Sequence, residues 1–195
     1  MITMAISAPG REAATVAMLQ ALERQNPGEP FWLYRDAERP SLNPFYRMLL
    51  TAAAQSDDVL FLEDDIVTAR NFIRYAARWA SPHVTSFFHV NRPVLGSPVS
   101  PVGFSFAQAV KLPAAVVARM IDNTAGIAAG RIHAGGHDDE IGYALEALDE
   151  RVIYHRSLVQ HVGDVSLAWG PGRTLDHRVA RDFPGEGFDC LSLVR

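Results

Sequence analysis

The sequence predicts an α/β domain with a mostly parallel central sheet flanked by helices, and three observations carry that reading. The run Val59-Leu60-Phe61-Leu62 is continuously apolar and rich in strand formers, as a strand buried on both faces must be. Two further strand-like runs precede it, and helical patterns separate all three at the short spacings of right-handed crossovers between parallel strands. With 48% hydrophobic residues in a chain of 195, there is enough apolar surface for a core without disulfides.

Ile2 to Ser7 reads as the first strand, and Ala8-Pro9-Gly10 as a turn. A helix follows from Arg11 to Gln25, where Ala14, Met18, Leu19 and Leu22 recur at helical spacing and form one buried face. Asn26-Pro27-Gly28-Glu29-Pro30 ends it, and Phe31 to Tyr34 is the second strand. Ser41 or Asn43 caps the next helix, Pro44 suits its first turn, and Phe45, Met48, Leu49 and Ala52 line its apolar face as far as Gln55. The third strand ends in Glu63-Asp64-Asp65, which completes a βαβαβ layout of the nucleotide-binding type.

Beyond it the pattern gives a helix over Ala69 to Ala80, a strand over Val84 to Val90 and a turn-rich loop from Asn91 to Gly103. Phe104 to Val110 alternates as a half-buried strand, and Pro113 opens a helix to Met120 or Asp122. Asn123 to Gly136 reads as a small-residue loop, and His137-Asp138-Asp139-Glu140 leads into a helix over Ile141 to Leu148. Arg151 to Tyr154 and Ser157 to Val162 are short strands, and Gly163 to Arg195 is a tail without periodicity. Neither a repeat nor a linker is visible. A single domain over residues 1–195 is therefore expected, with a nucleotide-binding half (1–67), an acceptor and catalytic half (68–170) and a C-terminal tail (171–195).

Composition narrows the function classes. A formal charge of −4 offers no global attraction to nucleic acid or anionic membranes. In the tail, Arg173, His177, Arg178 and Arg181 are basic enough to meet phosphate, although a solvated tail is the simpler reading. No apolar run reaches the roughly 18 residues of a membrane span. Met1 to Arg11 lacks the pattern of a signal peptide, and the single cysteine, Cys190, cannot form an internal disulfide, so a cytoplasmic location is expected. His133 and His137 lack the further ligands of a zinc site, and no Gly-rich loop with Lys-Ser/Thr supports P-loop chemistry.

The chemistry concentrates at Glu63-Asp64-Asp65. Three adjacent carboxylates repel one another where a buried strand leaves the sheet, unless a cation compensates. Hard divalent cations take one or two carboxylates plus substrate phosphates, and ligands of open α/β sheets bind beyond the carboxyl ends of the strands. The alternative is a solvated acidic turn with Asp65 near a helix N-cap. At the other segment, two adjacent carboxylates, Asp138 and Asp139, raise one another's proton affinity as a general base requires, whereas the alternative is N-capping of the Ile141 helix by Asp138.

Phe61-Leu62-Glu63-Asp64-Asp65-Ile66 resembles the metal-binding acidic motif of glycosyltransferases with the GT-A fold, in its Glu-Asp-Asp form. His137-Asp138-Asp139-Glu140 is similar to the segment carrying the catalytic carboxylate of inverting members, and Gln160-His161-Val162-Gly163 with Ser166 to their late "Gln-His-x-Gly-x-x-Ser" segment. The resemblance covers residues 1 to 170 and implies a single GT-A-like, Rossmann-like domain that transfers a sugar from a nucleotide sugar to an acceptor hydroxyl, by inversion, with Mn²⁺ or Mg²⁺. It implies Asp65 as direct metal ligand, Asp64 on the ribose or metal-bound water and Glu63 in support. His161 is either a second ligand or a buried, hydrogen-bonded strand histidine. Asp139 is the expected base, with Asp138 second.

Pro9 and Arg11 in the turn after the first strand, Tyr34 and Arg35 at the end of the second, and Asn43 and Arg47 on the following helix are the expected nucleotide contacts, each with a plain surface role as its alternative. The donor is then a nucleotide sugar and the acceptor a glycan, a protein or a modified nucleic-acid base. Two rival readings use the same residues: nucleotidyl transfer, in which metal-bound carboxylates activate a phosphate, and a non-catalytic sugar- or nucleotide-binding protein.

Overall fold

The computed structural model of the chain describes residues 1–7, 10–35, 57–90, 94–102, 104, 108–128, 137–162 and 179–194, with backbone alone at 34–35, 123–128 and 137–140. In chain order the elements are β1 (Ile2–Ser7), α1 (Glu12–Gln25), β2 (Trp32–Arg35), β3 (Val59–Glu63), β4 (Ile66–Thr68), α2 (Phe72–Arg78) and β5 (Val84–Ser86). They continue with β6 (Pro98–Val99), β7 (Ala109–Leu112), α3 (Ala114–Ala128), α4 (His137–Ala147), β8 (Val152–Tyr154), β9 (Val159–His161) and a closing 3-10 turn, Cys190–Leu193.

The main sheet has the order β2-β1-β3-β7-β5-β8-β6. Strands β2, β1, β3, β5 and β8 run one way and β7 and β6 run against them, so the sheet is mostly parallel in direction, as expected. A separate antiparallel pair, β4 with β9, stands beside the end of β3. Because β1, β2 and β3 are parallel, with Ser7 opposite Arg35 and Ile6 opposite Glu63, their carboxyl ends share one edge.

Strand alternation divides the core between the two faces of this sheet. Val59 and Phe61 of β3, with Met4 and Ile6 of β1, pack against Val116, Val117 and Met120 of α3 and Ile141 and Leu145 of α4. Leu60 and Leu62 face the other way, onto Met18 and Leu22 of α1 and Phe72, Ile73 and Ala76 of α2. All four apolar residues of β3 are fully buried, which is why the run carries no polar alternation.

Helix α1 has no side-chain N-cap, but its C-terminal end is tied down by Asn26. The Asn26 amide donates to the Leu22 carbonyl (3.2 Å) and to Thr68 Oγ1 (3.1 Å), and its oxygen accepts from Ile73 N–H (2.8 Å) in the first turn of α2. One buried amide thus adds a second bond to the Leu22 carbonyl, which already accepts Asn26 N–H (2.8 Å), and satisfies an orphan N–H of the next helix. Gly28 follows at φ 76°, the left-handed geometry that lets the chain reverse into β2.

Several boundaries differ from the sequence reading. The helix expected over Ala69 to Ala80 is α2, Phe72–Arg78, because Ala69 N–H and Arg70 N–H are bonded to the Leu158 and Phe188 carbonyls and Asn71 takes a left-handed turn at φ 59°. Of the strand expected over Phe104 to Val110, the described strand begins only at Ala109 and extends through Lys111. A buried lysine is tolerated there because its Nζ reaches the carbonyls of Ala76 (3.1 Å) and Trp79 (2.7 Å) at the end of α2 and pairs with Asp58 Oδ2 (3.1 Å). Residues Asn123 to Ala128, expected in a loop, continue α3 despite the weak helix formers Asn123, Thr124 and Gly126, as the continuation of a helix already nucleated. The expected strand over Val84 to Val90 ends at Ser86, and the predicted loop from Asn91 to Gly103 contains the edge strand β6. The helix expected between Ser41 and Gln55 lies outside the described residues.

The described part of the tail is not a solvated extension. Phe183, Phe188 and Leu191 pack against the α1–α2 side of the core, and Cys190 is fully buried. Arg70 N–H donates to the Phe188 carbonyl (3.0 Å) and Cys190 N–H to the Arg70 carbonyl (2.9 Å), so the segment is bonded to the entry of α2. No helix among the described residues is long and apolar enough to cross a membrane.

Candidate active site

The site lies where β3 leaves the sheet. Asp64 and Asp65 form the bend between β3 and β4, and both are buried. Two carboxylates in that position need positive partners. Arg11 supplies one: it sits between Gly10, at φ 78°, and the first residue of α1, on the same edge of the sheet. Its Nη1 lies 3.0 Å from Asp64 Oδ1, and its Nη2 is bonded to Asp65 Oδ2.

The second partner is His161. Strand β9 returns antiparallel to β4 with His161 opposite Ile66, and Val162 N–H donates to the Asp65 carbonyl (2.8 Å). This pairing sets His161 Nε2 3.0 Å from Asp65 Oδ2. Burial raises the proton affinity of the Asp65 carboxyl, but the hydrogen bond and charge interaction with His161, together with Arg11, outweigh it and hold the carboxyl below its usual range. An ionised carboxylate only accepts, so the His161 Nε2–H donates. Burial works against the Arg11 charge as well, and the Asp65 and Asp64 carboxylates more than offset it, which keeps the guanidinium firmly protonated.

Residues that the motifs did not indicate complete the geometry. Thr15, one turn into α1, donates its hydroxyl to the Arg11 carbonyl (2.9 Å) and lies 3.5 Å from Asp64 Oδ2. The Ser7 and Thr15 hydroxyls are 2.6 Å apart, which joins the end of β1 to the same network. Gln108, just before β7, donates to Glu63 Oε2 (2.9 Å). Glu63 therefore engages the β7 side of the sheet, while Asp64 and Asp65 share Arg11. The spacing of Arg11 and Thr15, four residues apart at a helix start, was the available signal for Thr15. Gln108 had none, because its contact depends on the antiparallel pairing of β3 with β7.

Of the other expected site residues, Asp138 and Asp139 have their backbone in the first turn of α4. That helix already begins at His137, so Asp138 lies inside the turn and not at the N-cap position considered from sequence. Tyr34 and Arg35 close β2, with Arg35 in register with Ser7. Pro9, Asn43 and Arg47 lie outside the described residues.

A divalent cation fits the donor set at Asp65. Among the described residues the buried Asp65 Oδ1 has no hydrogen-bond partner, and His161 Nε2 and Asp65 Oδ2 already face each other at 3.0 Å. Among the described residues no three acidic, histidine or cysteine side chains converge as a closed cage. One carboxylate and one imidazole, with remaining positions left to phosphate oxygens, is the open arrangement that such a cation takes beside a nucleotide.

The mostly parallel mixed sheet and its flanking helices match the GT-A glycosyltransferase fold. The catalytic domain of Drosophila beta1,4galactosyltransferase 7, in complex with xylobiose, matches the whole chain and 80% of its own length at a TM-score of 0.54 and 11% identity. A mutant of that enzyme in complex with manganese, UDP-Gal and xylobiose matches 100% of this chain and 80% of its own at a TM-score of 0.50 and 10% identity. No protein-family model and no curated protein matches the sequence.

Proposed function

We propose that the chain is a glycosyltransferase that moves a sugar from a nucleotide sugar to an acceptor hydroxyl, by inversion and with a divalent cation. The observation that carries this reading is the buried Asp64-Asp65 pair, held by Arg11 and His161 at the carboxyl edge of three parallel strands. The manganese and UDP-Gal bound to the Drosophila enzyme support a uridine nucleotide as the first donor to try, and its xylobiose supports a glycan acceptor.

Asp65 and His161 would hold the cation, Mn²⁺ or Mg²⁺, which when bound supplies positive charge for the departing diphosphate. The chain's own groups do the rest. Asp64, paired with Arg11 and near Thr15, would meet the ribose or a bound water at the strand end. Arg11, and Tyr34 and Arg35 at the end of β2, lie on the edge where base, ribose and phosphates would bind, and Pro9, outside the described residues, is proposed to join them. Asp139 accepts the proton of the acceptor hydroxyl as that oxygen attacks the anomeric carbon from the face opposite the leaving group, with Asp138 raising its basicity.

A thermal-shift screen of nucleotide sugars with and without Mn²⁺ tests the reading, since a ligand of the native state raises the melting temperature. Stabilisation by a UDP-sugar that depends on Mn²⁺ is expected, and stabilisation by none, or equally without metal, overturns it. With the donor in hand, Asp139→Asn is expected to lower turnover on the order of 10²–10⁴-fold without lowering the melting temperature. Unchanged turnover would remove Asp139 from its role. Release of pyrophosphate from a nucleoside triphosphate and a sugar phosphate would instead establish nucleotidyl transfer.

A further inference from the structure

Asp65 uses its two oxygens unequally. Oδ2 receives both the Arg11 guanidinium and the His161 Nε2–H, whereas Oδ1 is buried without a hydrogen-bond partner among the described residues. Arg11 also reaches Asp64 Oδ1 at 3.0 Å, so one guanidinium bridges the whole acidic pair. Its side chain is only 16% exposed and is anchored at the β1–α1 turn, next to Gly10, where a Cβ would meet nothing within 4 Å. A guanidinium and a divalent cation answer the same demand of buried carboxylates for positive charge, and they repel each other when both are held there.

We propose that Arg11 is a tethered counter-cation: it pairs with Asp64 and Asp65 in the ligand-free chain, competes with the divalent cation for Asp65, and transfers to the nucleotide's phosphates when cation and nucleotide bind together. This deepens the reading of Asp65 and His161 as the holders of the cation and rests on it. In the ligand-free chain Arg11 already supplies one positive charge against the two carboxylates, so a cation arriving alone meets a site whose negative charge is half compensated. A diphosphate gives the guanidinium an alternative anion with matching fork geometry, which frees Asp65 Oδ2. Cation and nucleotide therefore bind cooperatively, and the coupling runs through one side chain.

Binding of Mn²⁺ to the full chain, followed by electron paramagnetic resonance of the free ion with and without UDP, reads this directly. Without nucleotide, Arg11→Gln is expected to bind Mn²⁺ roughly tenfold tighter than the parent chain, with Arg11→Lys between them. UDP should then tighten Mn²⁺ binding far more in the parent chain than in Arg11→Gln. Equal or weaker Mn²⁺ binding by Arg11→Gln, while both forms bind the ion with UDP, overturns the competition and leaves the cation site standing. Failure of every form to bind Mn²⁺ even with UDP overturns the cation site itself, and the competition with it.

The unmodified chain offers a second measurement should Arg11→Gln fail to fold. The Arg11 Nε–H resonance, assigned by its loss in Arg11→Lys, is expected to shift when Mg²⁺ and UDP are added together. An unmoved resonance at saturation overturns the proposal.

Discussion

The Asp65 carboxylate is the residue on which most of the site converges, and its ionisation links the site to stability. Its folded-state proton affinity is lowered relative to the ordinary value of 3.8, by the His161 and Arg11 interactions acting against burial. A group depressed in this way contributes stability that is fully present above the unfolded value and is lost as pH falls through the folded one. The parent chain is therefore expected to lose melting temperature more steeply than Asp65→Asn as pH drops below about 4, which thermal melts between pH 2 and 6 will show. Equal acid limbs in the two forms would mean that Asp65 is not stabilised as an anion. The sequence made the carboxylates conspicuous, because three in a row at a strand end are unusual chemistry. The resemblance brought His161, 96 residues away, to Asp65 as a candidate second ligand, but Arg11, 54 residues away, was expected on the nucleotide and not on the carboxylates.

Among the elements, the joint between α1 and α2 depends on one side chain. Asn26 is buried and serves Leu22, Thr68 and Ile73 at once. Asn26→Ala leaves the Ile73 N–H and Leu22 carbonyl without that amide, and is expected to cost about 1–3 kcal/mol, measured by urea unfolding. Strand β3 gives a second case, because Phe61 is fully buried in the core between the sheet and the α3–α4 layer. Phe61→Ala is expected to cost about 3–5 kcal/mol. Elements of this kind were legible in advance: β1 spans Ile2–Ser7 as expected, and α1 and β2 moved by one residue. The ones that were missed have other causes. A three-residue strand such as β4 carries no periodicity, and the antiparallel course of β7 is fixed by its neighbours, not by its own sequence. The pairing of β9 with β4, which delivers His161, is a tertiary choice that no local pattern encodes.

At the scale of the whole molecule, the sheet separates two cores, and the second is completed by residues distant in the chain. Cys190 lies fully buried under this seam, and burial pushes its thiol up to about 12. A thiol reagent at neutral pH is therefore expected to leave the native chain unmodified and to label it only as the 179–194 segment lifts off, with labelling rates against denaturant as the readout. Rapid labelling of the native chain would mean that the segment does not stay docked. Its docking also has a temporal consequence. During synthesis, β1, α1, β2, β3 and α2 leave the ribosome long before Phe183, Phe188 and Leu191, so the apolar surface around Phe72 and Phe87 waits for a cover that is translated well after it. The nascent chain is thus exposed to aggregation on the α1–α2 side until residue 194 has emerged, and a chaperone that engages it should bind that face.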